Sequence, residues 1–180
     1  MIEIPNPITF EAAIAASQSL LDRMEEGQIS EDEIGKTVSA LVNTANGVRG
    51  FFVTYLTDSR PFADNPTPAV IQALQSSPDT VTEFAIKNLA MSTAMEITHH
   101  RNGDSELEQQ SAQVRDRSTT LLKLLNCDRI YSEAKALYQS ITTTSGTYAT
   151  FLKKWGYDAE QKQAIASRLE VVFPELSAIS

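Results

Sequence analysis

The residues whose types and spacing could do chemistry begin with the oxygen-bearing side chains of positions 22–33, where Asp22, Glu26, Ser30 and Glu33 surround Gly27. Oxygen donors spread over a twelve-residue turn with a central glycine are what a hard divalent cation such as calcium takes. The same residues also read as helix punctuation. Gly27 is a stop, Ser30 an N-cap, Glu33 its reciprocal partner, and Ile29 with Ile34 a hydrophobic staple. Capping accounts for every residue of the set except Asp22 and Glu26. A tight acidic corner between two helices is therefore expected, with a weak cation site at Asp22, Glu26, Ser30 and Glu33 as the alternative.

Over this dozen residues the segment resembles the calcium loop of EF-hand proteins. Asp22, Glu26, Gly27, Ser30 and Glu33 fall at the first, fifth, sixth, ninth and twelfth loop positions, and the apolar Ile29 at the eighth. Met24 departs from the pattern at the third position, where a thioether is a poor ligand for a hard cation. No second loop of this kind occurs in the chain.

A second group lies at 44–56, Thr-Ala-Asn-Gly-Val-Arg-Gly-Phe-Phe-Val-Thr-Tyr-Leu. Gly47 and Gly50 each cost about 1 kcal/mol relative to alanine inside a helix, so close approach of another helix is expected to offset them. Phe51, Phe52 and Tyr55 then make the helix apolar nearly all round, which implies burial in a core or an oligomer. Arg49, between the glycines, is the candidate for a small anionic ligand or for a carboxylate such as Asp58.

The remaining motifs are weaker. Glu96 and His99 echo half of a di-iron Glu-x-x-His pair, but with His99 and His100 adjacent and no other histidine, the second pair is missing. A basic helix end before Asn102-Gly103 explains His99, His100 and Arg101 better. Gly35-Lys36-Thr37 mimics the end of a phosphate loop, with Ser30 where its first glycine belongs. Cys127, the only cysteine, reads as a small buried hydrophobe and makes an intramolecular disulfide impossible.

Composition bounds the class. A chain of 180 residues, 42% hydrophobic and 21% charged, suits one domain with a sizeable core. The formal charge of −8 is concentrated in residues 1–33, where eight acids face Arg23 alone. That balance argues against nucleic-acid binding, which needs clustered Lys and Arg. The opening Met1-Ile2-Glu3-Ile4-Pro5 lacks a basic region and a long apolar core, and no apolar run approaches the roughly 18 residues of a membrane span. A cytoplasmic protein without membrane contact is expected.

The elements that must position these residues are all helical. Cap signals and apolar periodicity predict a helix from Thr9 to Glu26 and one continuous helix over 31–58, the competing reading being an end at Asn46-Gly47 and a strand over 51–57. A short helix follows Thr67, a long one runs from Ser77 to Asn102-Gly103, and one starts at a Ser105–Glu108 capping box. Another begins near Asp128 and continues through Trp155, and a last one follows Asp158. The expectation is an all-α, single-domain bundle of six to seven helices over 1–180, mostly antiparallel neighbours, with irregular ends at 1–8 and 174–180. Functionally it is a non-enzymatic interaction domain without a cofactor, partnered by another protein or by itself as a homodimer. Gly47, Gly50, Phe51, Phe52 and Tyr55 are the expected contact residues, with Tyr138, Tyr148 and Trp155 as secondary anchors.

Overall fold

Short polar side chains ahead of apolar runs decide where this chain starts its helices. Thr9, Ser30, Thr44, Thr67 and Asp158 each stand in extended backbone and accept a hydrogen bond from the amide three residues on, satisfying one of the amides that a helix start leaves without a partner. The computed structural model describes residues 2–125 and 127–179. Among these the regular elements are α1 (Phe10–Glu25), α2 (Glu31–Val42), α3 (Ala45–Thr57), α4 (Pro68–Gln75), α5 (Pro78–Arg101), α6 (Ser105–Leu125), α7 (Asp128–Thr143), α8 (Ala149–Trp155), α9 (Ala159–Val172) and a 3-10 helix, Pro174–Ile179. The protein is all-α. The helices number more than the six to seven expected because two long ones are interrupted, and the end read as irregular at 174–179 closes into a 3-10 turn that buries Leu176.

The first interruption falls at Asn43-Thr44. Thr44 leaves helical geometry, with φ −132° and ψ 153°, and its Oγ1 accepts from the Gly47 amide at 3.1 Å. Residues 31–58 are thus two helices, and 51–57 is helical rather than a strand. The apolar phase that suggested continuity survives because the connection is short. The second interruption follows Thr143. Hydroxyls of Thr142 and Thr143 bond back to the carbonyls of Tyr138 and Gln139, Thr144 turns left-handed at φ 57°, and Gly146 sits at φ 108°. Ser105 is the first helical residue of α6 rather than its cap. Asp104 takes that place, its Oδ1 accepting from the Leu107 amide at 3.1 Å.

Contacts gather the chain into two units, Met1–Ala85 and Ile86–Ser180, with the division inside α5. In the first, α1 packs along α3, and α2 packs on both α3 and α4. Its buried side chains include Leu20, Leu21, Leu41, Val48, Phe51, Phe52, Tyr55 and Leu74. Thr80 fixes the start of α5 by donating its hydroxyl to the Val42 carbonyl at 2.7 Å. In the second, α9 packs against α6, α7 and the 3-10 helix, and α7 against α8. Leu89, Leu121, Leu122, Leu137, Ile165 and Leu169 are buried there. Gln161, itself buried, donates to the Ala94 carbonyl at 3.0 Å and to Thr98 Oγ1 at 2.9 Å, tying the start of α9 to α5.

At Gly50 α3 lies directly against α1. A Cβ built on it would lie 2.4 Å from Ala13 Cβ and 2.9 Å from the Ile14 backbone nitrogen. Gly35 of α2 is different, since a Cβ there would rest at ordinary contact, 3.7–3.8 Å from Ala69. Gly50→Ala should therefore destabilise by about 1–3 kcal/mol despite alanine's higher helix propensity, because backbone must move. Gly35→Ala should be neutral or stabilise by up to about 1 kcal/mol. Urea unfolding of both variants checks the pair; equal effects would contradict the assignment of the close contact to Gly50.

Candidate functional site

The glycine and aromatic group read as a contact surface turns inward. Gly47 and Gly50 are buried, and Phe51, Phe52 and Tyr55 are each 1% exposed. Phe51 stacks on Tyr55 with ring centroids 5.0 Å apart and meets Phe52 edge-on at 5.9 Å, while Tyr55 Oη donates to the Phe62 carbonyl at 2.6 Å. Gly47 is required by the α2–α3 turn rather than by a helix crossing, since a Cβ would lie 1.8 Å from the Leu41 carbonyl oxygen. These five residues are therefore corrected from surface to interior. Tyr138 and Tyr148 are buried too, their hydroxyls donating to Glu170 at 2.6 Å and Glu133 at 2.8 Å. Of the expected anchors Trp155 alone is exposed, at 47%.

Arg49 reaches the surface, where its guanidinium lies over the Phe10 ring at 4.8 Å. It does not take Asp58. That carboxylate belongs to Arg60, which grips it through Nε at 2.7 Å and Nη2 at 2.8 Å. Asp22 and Glu25 then approach the same guanidinium at 2.8 and 3.2 Å. Arg60 is the residue that the sequence reading missed at this corner. Bonding to Asp58 first, then to Asp22 and Glu25, raises its pKa in spite of the burial that opposes its charge.

The corner at 22–33 is built by capping. Gly27 is left-handed at φ 64°, and Ser30 and Glu33 form the reciprocal box, Ser30 Oγ accepting from the Glu33 amide at 3.3 Å and Glu33 Oε2 from the Ser30 amide at 3.2 Å. The Ser30 backbone bond is the largest cause holding the Glu33 carboxyl below its ordinary value. Asp22 turns to Arg60, so Asp22, Glu26, Ser30 and Glu33 do not converge. Among the described residues no group of three or more His, Cys, Asp or Glu is placed to hold a metal.

The richest charged arrangement lies instead in the second unit, along a groove of about 500 Å³ lined from α5, α6 and α9. Glu96, noted beside His99, bonds Arg115, which also holds Asp116 at 2.9 Å; Arg168 lies 3.7 Å from Asp116. His100 Nδ1 is 3.0 Å from Glu108. Arg101 spans from α5 to the start of α9, bonding Asp158 at 2.6 Å and also Glu160. Burial opposes the charge of Arg115, but Asp116 and Glu96 outweigh it and raise its pKa. Each arginine here is held by one or two carboxylates, so these ion pairs brace three helices. Val171, 49% exposed, gives the groove one apolar margin.

Cys127, expected as a buried hydrophobe, is exposed at the N-cap position of α7. Trp155 closes α8 after Lys153 and Lys154, and Gly156 stops the helix left-handed at φ 65°. This end of α8 presents a large aromatic face and two cations to the surface.

Asp158 provides a pH-dependent test of the bracing. Its carboxyl is held below the ordinary value, first by Arg101 and then by the Gln161 amide. A depressed pKa in the folded chain stabilises above the unfolded value, about 3.9, and that contribution fades as pH falls through the lower folded value. Arg101→Ala should raise the Asp158 pKa while the cap keeps it somewhat below the ordinary value. Carboxyl-carbon NMR titration reads this directly, and an unchanged pKa would contradict the pairing.

No curated protein and no solved structure gives a significant match to this chain. One family model matches from the cap of α1 to the last residue of α9, residues 9–172. The chain belongs to that family, described as Uncharacterised conserved protein UCP020893.

Proposed function

We propose that the protein is a non-enzymatic helical interaction module whose contact surface is the end of α8, centred on Trp155. The observation that carries this reading is the exposure of the chain's one tryptophan, 47%, while its other expected aromatic anchors are buried. Tryptophan is well buried on average in folded chains and is enriched among residues that dominate binding energy. Placed at a helix end stopped by Gly156, it is held on a short, defined segment. That lowers the entropy lost on contact.

Lys153 and Lys154 define the chemistry of the partner. A surface with an apolar socket for an indole, edged by carboxylates, complements this end of α8. A second copy of the chain offers one such acidic source, since residues 1–33 carry eight acids against Arg23. The paired charges of the α5, α6 and α9 groove support a bracing role beside this contact rather than proton transfer, because each cation there already holds a carboxylate.

Trp155→Ala tests the proposal. Sedimentation over a wide concentration range, with native-source purification of wild type and variant in parallel, should show self-association or partner recovery weakened about thirtyfold or more, the effect of a 2 kcal/mol hot spot. The melting temperature should stay within a few degrees, because the side chain is half in solvent. Unchanged association with an intact fold would overturn the reading.

A further inference from the structure

Between α2 and α4, within the first unit, runs an open groove of about 680 Å³. Its walls include Gly35, Ala69 and Ala73, none of which carries more than a methyl group. Glu31 and Asp32 stand at its edge, both exposed. Lys36, on the same edge, turns along α2 to Asp32 at 2.6 Å, an exposed pair of the kind that contributes little in water. Glu31 makes no ion pair among the described residues.

Gly35 is the feature that sets this groove apart. Glycine is a weak helix former, and inside a helix it is favoured where a neighbour comes too close for any side chain. That condition holds at Gly50, where a Cβ would lie 2.4 Å from Ala13 Cβ. It does not hold at Gly35, where a Cβ would rest 3.7 Å from the Ala69 carbonyl oxygen and 3.8 Å from its Cβ. The packing of α2 on α4 therefore has no need of a glycine. What the missing side chain provides is room, since residue 35 is half-exposed in the wall of the groove.

We propose, resting on the reading of Trp155 as the contact residue, that this groove receives Trp155 of a second copy of the chain. The indole lies against Gly35, Ala69 and Ala73, and Lys153 and Lys154 face Glu31 and Asp32. The two faces match in kind. One is an exposed indole preceded by two exposed lysines; the other is a small-walled groove edged by two exposed carboxylates. Opposite charge at the edge speeds encounter and sets orientation. Burial of the indole, about 150–250 Å² of surface, supplies most of the affinity. An interface built around one such residue belongs to the small, transient class. Because the two faces differ, each copy offers one of each, and association runs head to tail rather than ending at a symmetric pair.

Complementation between variants tests this. Trp155→Ala removes one face and keeps the groove. Gly35→Leu fills the groove and keeps the tryptophan, at a half-exposed site where leucine favours the helix. Glu31→Lys changes only the exposed edge, and so serves as the groove variant if urea unfolding shows Gly35→Leu disturbing α2 and α4. In sedimentation velocity the full-length wild type should associate as its concentration rises, and less so in high salt. Trp155→Ala and Gly35→Leu should each weaken association about tenfold or more, and Glu31→Lys about threefold or more. An equimolar mixture of Trp155→Ala and Gly35→Leu should regain the wild-type affinity and stop at the dimer, since each supplies the face that the other lacks. Association lost in Trp155→Ala but kept in Gly35→Leu and Glu31→Lys would overturn the groove while leaving Trp155 as a contact. Association indifferent to Trp155→Ala would overturn both. A wild type that stays monomeric at the highest concentration, or a mixture of two folded variants that regains nothing, would also overturn the proposal.

Discussion

The absence of a side chain at Gly50 is the constraint on which the first unit depends. With a hydrogen there, α3 lies on α1 close enough that a methyl would stand 2.4 Å from Ala13 Cβ. The aromatic residues that follow are carried inward by that contact, and Phe51 and Tyr55 stack in the interior. A helix propensity cost of about 1 kcal/mol at Gly50 is smaller than the free energy of burying two phenylalanine side chains, roughly 1.5–3 kcal/mol each. The same geometry that stabilises the unit buries Phe51, Phe52 and Tyr55, while Val53 stays 43% exposed.

In the second unit the charges are arranged to hold helices, and the exposed Trp155 lies at the end of α8. Arg101 joins the last turn of α5 to the cap of α9, and Gln161 of that cap reaches the Ala94 carbonyl. These bonds fix where α9 starts, and with it the position of Tyr157 one residue before the cap. Gly156, left-handed, separates Trp155 on the surface from Tyr157 in the interior. Two neighbouring aromatic residues are thereby given opposite environments by one backbone turn.

What the sequence made legible was local. Thr9, Ser30, Thr67 and Asp158 are read as helix starts because a cap needs only an oxygen three residues ahead of the amide it accepts from, and the structure uses all four. Gly27 as a stop has the same locality. Thr44 escaped because its interruption leaves the heptad phase nearly intact. Pairings across elements were not legible: Asp58 had Arg49 and Arg60 within reach in sequence, and the turn two residues on delivered Arg60, whose amide also bonds Asp58 Oδ1 at 2.9 Å. Burial of aromatic residues was the hardest to read. Phe51 and Trp155 are both large and apolar, and only the packing of α1 on α3 against the open end of α8 distinguishes them. Tyr157 carried no signal beyond its place between a helix stop and a cap.

On the proposed reading the chain's one tryptophan is its exposed contact residue. Its fluorescence reports on that claim without interference from any other indole. Acrylamide quenching of the dilute protein, repeated on the associated form recovered at high concentration or from its native source, measures the same side chain free and in contact. Red-shifted, readily quenched emission is expected in the dilute protein, with a blue shift and protection on association. Blue, quench-resistant emission in the dilute protein, or identical quenching in both forms, would contradict it.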